Sequence, residues 1–324
     1  MPVNEPGHPL SSAGEGRGEG RPQETVRGQD APLTETMRDR VCLVTGANSG
    51  IGRATALALA QLGASAVMVC RDRERGAAAQ AEIQSDSGSS RVDLLIADLS
   101  SQSSIRALSR EIHARYGHLN VLINNAGGYL SKREASADGL ETTFALNHLG
   151  YFLLTSLLLD LLRTGAPSRI VNVSSGSHMN AHIDFDDLQA EHSYHAWRAY
   201  GQSKLANVLF TYALARRLGG TGVTANAVHP GVVATNFGRS GGFMRFGLRI
   251  AGRFMLTPEE GADTVVWLAT SGEVEGVTGK YYVKRKAVRS SPESRDQAVQ
   301  ERLWRVSEEL TGLAGLAAGE PPPV

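Results

Sequence analysis

The sequence predicts an α/β protein in which one doubly wound parallel sheet of about seven strands carries helices on both faces. Three observations support this prediction. Short apolar segments alternate with longer helix-like segments between about residues 41 and 285. The apolar segments are nearly continuous, which is typical of strands covered on both faces. A glycine-rich turn separates the first apolar segment from the first helical one.

The predicted elements follow one another in strict alternation. The strands are expected at 41–45, 66–70, 92–97, 120–124, 168–173, 223–228 and 279–283. The helices are expected at 51–62, 72–84, 101–116, 139–163, 197–218, 257–269 and 293–311. The helix at 257 begins with Thr257, Pro258 and Glu260, which form an N-cap, a first-turn proline and a capping-box glutamate.

The two ends of the chain differ in composition from the region between them. Residues 1–38 hold five of the twelve prolines and show little apolar periodicity, so we expect them to be disordered. The catalytic domain is expected at 39–285, a helical extension at 286–318 and a second disordered tail at 319–324. No secretory signal begins the chain, and no apolar run reaches the roughly 20 residues of a membrane span. These features predict a cytoplasmic protein.

Charge and metal-ligand content exclude two classes of function. Lys plus Arg equals Asp plus Glu, at 33 each, so no overall basic charge indicates a nucleic-acid partner. The two cysteines fall in apolar segments and are expected to be reduced and buried. Two pairs of histidines lie close in sequence, His178 with His182 and His192 with His195. No acidic or cysteine cluster accompanies them, so we expect solvated loop histidines and no metal site.

Two short motifs carry the chemistry. Gly46, Gly50 and Gly52 follow the first strand and open the first helix, where a tight turn lets backbone amides approach a pyrophosphate. Tyr200 precedes Lys204 by four residues on a helical pattern, which places both side chains on one face. A nearby ammonium favours the phenolate, so Lys204 is expected to lower the pKa of Tyr200.

These motifs, in this order and spacing, resemble the short-chain dehydrogenases/reductases, whose fold is a Rossmann-type sheet. The resemblance covers about residues 40–285 and rests on Thr-Gly-Ala-Asn-Ser-Gly-Ile-Gly at 45–52, Asn-Asn-Ala-Gly at 124–127, Asn147, Ser175 and Tyr200-x-x-x-Lys204. Several stretches are similar to the retinol dehydrogenase-like branch in particular. They are Cys-Arg-Asp at 70–72, residues 170–175, residues 203–210 and residues 228–233.

The resemblance implies catalytic roles for four residues. Tyr200 would be the general acid in carbonyl reduction and the base in alcohol oxidation. Lys204 would bind the nicotinamide ribose, and Ser175 would bind the substrate oxygen. Asn147 would hold a water molecule that relays the proton onward. Ser174 competes with Ser175 for the substrate role, and the family pattern favours the second serine of the pair.

The cofactor preference depends on the end of the second strand. The resemblance places Arg71 at the discriminating position and leaves Asp72 to cap the next helix, which predicts NADP(H) over NAD(H). Arg53, just past the glycine turn, is a second source of positive charge. The cofactor would contact Thr45, Gly46, Asn48, Ser49, Gly50, Ile51, Gly52, Arg71, Asp98, Leu99, Asn124, Ala126, Gly127, Tyr200, Lys204, Pro230, Gly231 and Thr235.

A substrate lid is expected at about 237–256, after the sixth strand. Its apolar residues Phe243, Phe246, Ile250 and Phe254 recur every three or four positions, and Arg245, Arg249 and Arg253 every four. This pattern is typical of an apolar pocket cover. It also fits a basic amphipathic helix that makes peripheral membrane contact.

Taken together, the motifs predict an NADP(H)-dependent oxidoreductase that transfers a hydride between nicotinamide and the alcohol/carbonyl pair of a small hydrophobic substrate. Two alternatives remain open: a carbonyl reductase of polyketide, steroid or xenobiotic ketones, and a non-catalytic cofactor-binding regulator. Members of the family often form homo-oligomers through the two long helices beside the active site. Members of the retinol dehydrogenase-like branch often carry an N-terminal membrane anchor, for which residues 1–38 show no apolar segment.

Overall fold

Eight strands form one sheet in the residues that the computed structural model describes, 37–232 and 256–313. They are β1 (Val41–Thr45), β2 (Ser65–Cys70), β3 (Val92–Ile96), β4 (Val121–Asn124), β5 (Ser168–Val173), β6 (Val223–His229), β7 (Tyr281–Val283) and β8 (Lys286–Val288). The seven predicted strands are therefore confirmed. The eighth, β8, was not predicted. Most of the expected N-terminal tail, nearly all of the expected lid and residues 314–324 lie outside the described residues.

The strand order is β3-β2-β1-β4-β5-β6-β7-β8. The pairs from β3 through β7 are all parallel, and only β8 is antiparallel, to β7. The register aligns Val44 of β1 with Met68 of β2 and with Ile123 of β4. The chain therefore reverses its direction of winding beside β1, and in such sheets ligands bind outside the carboxyl ends of the strands at this point.

Helices cover both faces of the sheet, as predicted. They are α1 (Gly50–Gln61), α2 (Arg73–Ser87), α3 (Gln102–Arg115), α4 (Thr142–Phe144), α5 (Gly150–Leu157), α6 (Leu159–Thr164), α7 (Ala196–Arg217), α8 (Pro258–Thr270) and α9 (Gln297–Thr311). Alternate residues of β1 enter opposite layers of the core. Leu43 packs in the layer of α3, α5 and α7, whereas Val44 packs in the layer of α1, α2 and α8. Both faces of β1 are buried for this reason.

The predicted long helix at 139–163 is wrong in its continuity. The chain instead forms α4, a π-helical turn at Ala145–Leu149, α5 and then α6, with a break at Leu158. Gly150 begins α5 where the backbone of the β3–α3 connection is very close, since a Cβ at Gly150 would lie 2.6 Å from the carbonyl oxygen of Leu99. The apolar pattern runs through these boundaries unchanged, so it could not indicate them.

The C-terminal helix α9 packs on α5 and α7. The Trp304 ring lies 5.0 Å from the ring of Phe152 and 5.9 Å from that of Phe210, and the Arg217 guanidinium lies 3.9 Å above the same indole. The Nε2 atom of buried His148 lies 2.9 Å from the Ser307 hydroxyl of α9. The faces of α5 and α7 that meet α9 are thus covered by the chain's own C-terminal segment.

Two further sequence predictions concern burial and membranes. Cys42 and Cys70 are free and buried, and burial raises their thiol pKa to about 12 and about 11, so both are unreactive thiols. Within the described ranges, no helix is long and apolar enough to cross a membrane. The cytoplasmic location, the membrane contact of the lid and the domain boundaries stay predictions.

Candidate active site

The glycine turn connects β1 to α1 at the carboxyl edge of the sheet. Gly46 and Gly50 have positive φ angles of 67° and 53°, a conformation that other residues adopt only with strain. A Cβ on Gly52 would lie 2.3 Å from the carbonyl oxygen of Gly46 and 2.5 Å from Nδ2 of Asn125. The Ser49 side chain at the helix N-cap makes no capping hydrogen bond. The first amides of α1 are therefore not bound by this side chain. An anion site at a helix N-terminus requires such unbound amides.

The Thr45 hydroxyl joins the ends of β1 and β4. Its Oγ1 accepts hydrogen bonds from the amides of Asn125 (2.8 Å) and Ala126 (3.0 Å) and donates to the carbonyl of Ile123 (3.2 Å). The Asn125 side chain forms a second hydrogen bond with Thr45, from Nδ2 to the Thr45 carbonyl at 2.8 Å. Asn125 was not among the predicted site residues, although it lies inside the family-like stretch at 124–127.

Asn124 directs its side chain away from the glycine turn. Its Nδ2 donates to the Thr155 hydroxyl (2.9 Å) and to Oδ1 of Asn172 (2.8 Å), and the side chain is fully buried. Asn172 in turn donates to the Thr211 hydroxyl at 3.0 Å. This polar network joins β4 and β5 to α5 and α7 beneath the site. The Asn124 side chain is thus engaged within the core, and the expected cofactor contact of Asn124 stays a prediction.

Tyr200 and Lys204 lie one turn apart near the start of α7, and both are buried. The Lys204 Nζ atom is 5.7 Å from the centre of the Tyr200 ring and donates to the carbonyl of Val173 at 3.1 Å. Burial disfavours the charged ammonium and lowers the pKa of Lys204 to about 8. The lysine is thus held at the end of β5, beside the tyrosine.

Burial also has the largest effect on the pKa of Tyr200. It raises the pKa of the phenol to about 12, and the hydrogen bond with Ser175 acts in the opposite direction. The sequence predicted a pKa lowered by Lys204, but in the chain by itself the pKa of Tyr200 is raised, with burial as the largest cause and the contact with Ser175 opposing it. Tyr200 carries its proton at neutral pH.

The two neighbouring serines have different partners. Ser174 is almost fully buried and donates to the backbone carbonyl of Lys204 at 2.7 Å. Ser175 hydrogen-bonds Tyr200 through its side chain and also accepts the amide of Ser177 at 3.2 Å. Ser174 thus links α7 to the end of β5, whereas Ser175 lies beside the Tyr200 phenol and forms a hydrogen bond with it.

Asn147 lies in the π-helical turn at Ala145–Leu149. Its side chain accepts the amide of Gly128 (2.8 Å) and donates to the carbonyl of the same residue (2.9 Å) and to the Ser203 hydroxyl (2.9 Å). Gly127 lies between this side chain and Lys204, since a Cβ there would be 3.1 Å from Asn147 Oδ1 and 3.4 Å from Lys204 Nζ. Asn147 is therefore fixed near Lys204, and its part in a water relay stays a prediction.

The two arginines near the expected cofactor edge of the sheet, Arg71 and Arg53, differ in their ion pairing. Arg71 is exposed at the end of β2 and makes no hydrogen bond or ion pair with any other described residue. Arg53 is already neutralised, because its guanidinium lies 2.9 Å from Glu82 and 3.3 Å from Asp86. Asp72 caps α2 by accepting the amide of Arg75 at 3.0 Å, as the sequence predicted. Of Arg53 and Arg71, only Arg71 has no ion pair with a described residue.

The other expected cofactor contacts lie along the same edge of the sheet. Asp98 follows β3 and accepts hydrogen bonds from Ser100, while Leu99 is buried beside Gly150. Pro230 and Gly231 follow β6, and Gly231 has a φ of 93°. Thr235 and residues 237–255 of the predicted lid lie outside the described residues.

His178 is not the solvated loop histidine that the sequence suggested. It is fully buried, its Nδ1 lies 2.7 Å from the carbonyl of Ser175, and its Nε2 accepts the amide of Ser291 at 3.3 Å. Its ring also packs edge-on against Tyr281, with ring centres 4.7 Å apart. His178 therefore connects the Ser175 backbone to the segment that precedes α9. Among the described residues no cluster of metal-ligating side chains is found.

Comparisons with known proteins agree with this geometry. The family profile described as short chain dehydrogenase matches residues 40–242. Retinol dehydrogenase 14 of Homo sapiens is 46% identical over 313 residues, covering 90% of this chain and 91% of its own length. Retinol dehydrogenase 12 of Homo sapiens is 46% identical over 274 residues, covering 85% and 87%.

Solved structures show the same fold. An uncharacterised protein from Mycobacterium paratuberculosis has a TM-score of 0.70 and 32% identity, with 86% of this chain and 96% of that chain covered. The complex of Pseudomonas aeruginosa RhlG with NADP has a TM-score of 0.64 and 26% identity, with 78% and 96% covered.

Replacing Thr45 with valine should destabilise the fold at the nucleotide edge. The change keeps the shape of the side chain but leaves the amides of Asn125 and Ala126 without their acceptor. We expect the free energy of unfolding, measured by urea denaturation, to fall by about 1–3 kcal/mol. Thr55→Val is the matched control, because the Thr55 hydroxyl is buried without a hydrogen-bond partner among the described residues. A similar loss in both variants would contradict this interpretation.

His178→Gln should make stability less sensitive to acid. Burial lowers the pKa of His178, so the unfolded chain takes up this proton first as the pH falls through about 6.5. The free energy of unfolding then declines by up to about 1.4 kcal/mol per pH unit for this one group, and the decline ends below the folded-state pKa. The variant removes this contribution. Urea unfolding from about pH 7.5 to about pH 5 measures the slope.

His118→Gln serves as the control for this experiment, because His118 makes no hydrogen bond or ion pair with another described residue. We expect His118→Gln to keep the wild-type slope. Equal slopes for wild type and His178→Gln would show that His178 does not stay neutral in the folded chain.

Proposed function

Because the chain belongs to the short-chain dehydrogenase/reductase family, in its retinol dehydrogenase-like branch, we propose that Tyr200 is the proton donor of an NADP(H)-dependent oxidoreductase. The reaction interconverts an alcohol and a carbonyl on a small hydrophobic substrate. The observation that carries the proposal is the hydrogen bond between the Tyr200 phenol and Ser175, together with the buried ammonium of Lys204, whose Nζ lies 5.7 Å from the centre of the Tyr200 ring.

The phenol is in the form that carbonyl reduction requires. Its pKa of about 12 means that Tyr200 holds its proton at neutral pH. Ser175, which shares a hydrogen bond with the phenol, can donate to the carbonyl oxygen of the substrate as negative charge develops there. Tyr200 then protonates the same oxygen, acting as a general acid. In the reverse direction it receives the proton of the alcohol.

Lys204 supports the proton transfer by its positive charge near the Tyr200 phenol. Its pKa of about 8 keeps most of the side chain charged at neutral pH, and its position near Tyr200 stabilises a phenolate while the proton is away. The ammonium is held by Val173 and adjoins Gly127, beside the fixed side chain of Asn147. This placement supports a role for Asn147 in returning the proton to the site.

The residues at the carboxyl edge fit a nicotinamide dinucleotide. The turn around Gly46 and Gly52 has no room for a Cβ and brings backbone amides to the start of α1, as a pyrophosphate requires. When bound, the cofactor would supply or accept the hydride. Arg71 would face a 2′-phosphate, and because Arg53 is neutralised by two carboxylates, we assign the preference for NADP(H) to Arg71 alone.

Aromatic side chains beside the catalytic tyrosine support a hydrophobic substrate. The ring centres of Tyr129 and Trp197 each lie 6.0 Å from that of Tyr200, and Trp197 is 59% exposed. Exposed indole beside a reactive phenol offers an apolar contact to a substrate that approaches from solvent. The relatives named retinol dehydrogenases favour a retinoid-like aldehyde or alcohol as the substrate class.

Tyr200→Phe should abolish turnover while keeping cofactor binding. Loss of the general acid is expected to lower kcat roughly 10²- to 10⁴-fold, read as NADPH absorbance with a panel of hydrophobic aldehydes and ketones. Tyr212→Phe is the matched control, since Tyr212 lies three turns farther along α7 and its hydroxyl binds Ser290 at 2.8 Å. Wild-type activity in Tyr200→Phe would exclude Tyr200 as the acid.

Arg71→Ala should weaken NADPH binding by about tenfold or more and leave NADH binding nearly unchanged, because the guanidinium contributes charge-assisted hydrogen bonds only to a 2′-phosphate. Fluorescence titration of both nucleotides gives the ratio of affinities. Arg53→Ala is the comparison, and we expect it to keep the wild-type ratio. NADPH binding no tighter than NADH binding in the wild-type chain would refute the cofactor preference.

A further inference from the structure

A cavity of about 460 Å³ lies between the end of α7, the β7–β8 hairpin and the segment before α9. It is defined here as the basic cavity. The residues that line it are Tyr212, Ala215, Arg216, Thr278, Gly279, Lys280, Tyr281, Val288, Arg289, Ser290, Arg295 and Gln300. Its volume falls in the range of small-molecule sites. Neither the proposed catalytic residues nor the expected cofactor contacts are among its lining residues.

The basic cavity lies at the opposite edge of the sheet from the catalytic residues. Lys280 immediately precedes β7, and parallel strands carry the proposed active site at their carboxyl ends. Arg216 lies sixteen residues beyond Tyr200 on α7, which corresponds to about 24 Å along the helix axis. A molecule in the basic cavity therefore could not contact the nicotinamide site.

The charged side chains that line the cavity are all positive. Arg216, Lys280, Arg289 and Arg295 contribute four cations, and no Asp or Glu lines the cavity. Arg216 shares the carboxylate of Glu301 with Arg217, at 2.8 and 2.6 Å. Lys280 and Arg289 make no ion pair with any described residue. Converging cations repel one another, so this arrangement favours a bound anion.

The walls are held by regular structure. The backbone amide of Lys280 donates to Oδ1 of Asn226 at 3.0 Å, and Tyr281 pairs with Val288 across the hairpin. Tyr281 is buried and packs on His178. The Tyr212 and Ser290 hydroxyls, 2.8 Å apart, add hydrogen-bonding groups to the wall. The backbone positions that carry Lys280 and Arg289 are therefore fixed by the hairpin and by Asn226, while their side chains are exposed.

We propose that the basic cavity binds a compact anion that carries several phosphate groups. Guanidinium groups bind phosphate oxygens in pairs, and lysine adds a point charge, so this set of side chains fits phosphate chemistry. Either a soluble polyphosphorylated molecule or a phosphorylated lipid headgroup could present these groups. The hydroxyls of Tyr212 and Ser290 would bind the remaining oxygens.

The test is a calorimetric titration of inorganic tripolyphosphate into the full chain with its cofactor site saturated by NADPH, so that the anion cannot enter there. We expect a single site. The double variant Lys280→Ala, Arg289→Ala should weaken the binding at least about tenfold. The control double variant Arg110→Ala, Arg305→Ala removes the same charge from exposed positions outside the cavity and should bind as the wild type does. The readout is binding itself, so it is independent of catalysis.

Sedimentation with phosphatidylcholine vesicles that contain phosphatidylinositol bisphosphate separates the two sources. Sedimentation that requires Lys280 and Arg289 identifies a lipid headgroup, and tripolyphosphate binding without sedimentation identifies a soluble anion. The proposal is overturned if neither probe binds, or if the cavity variant and the control variant lose the same affinity.

Discussion

The Thr45 hydroxyl is the contact on which the nucleotide edge of the sheet depends. It binds the backbone after β4, and Asn125 of that backbone binds the strand end that carries Thr45. These reciprocal hydrogen bonds between Thr45 and Asn125 hold the glycine turn so close to Asn125 that only glycine fits at position 52. The same stretch continues to Gly127, which adjoins Lys204 and Asn147. The glycine turn and the proposed proton-handling residues are thus positioned from one pair of strand ends.

Burial acts in opposite directions on the two groups that share the reactive face of α7. It disfavours the charged form of each, so it raises the pKa of Tyr200 and lowers that of Lys204. The phenol therefore holds its proton while the ammonium is nearer to releasing one. The hydrogen bond from Ser175 opposes the effect of burial on Tyr200. The site is set to donate a proton before any ligand adds its own charge.

Sequence patterns predicted the parts of the fold that are locally encoded. The seven predicted strands appear as apolar segments, whereas the capping role of Asp72 came from the family resemblance. The strand β8 was missed because it has only three residues, all exposed, and such a short segment gives no periodic pattern. The burial of His178 was missed because it depends on Ser291 and Tyr281, more than a hundred residues away. Contacts of that kind follow from the closed fold and not from local composition.

The C-terminal helix α9 sets a limit on self-assembly. It occupies faces of α5 and α7, the helices beside the active site through which the family often forms oligomers. A second copy could reach those faces only by displacing α9. Such an exchange would take Ser307 away from His148, which directly follows Asn147 in the π-helical turn. Displacement of α9 would therefore remove a hydrogen-bond partner from the residue next to Asn147.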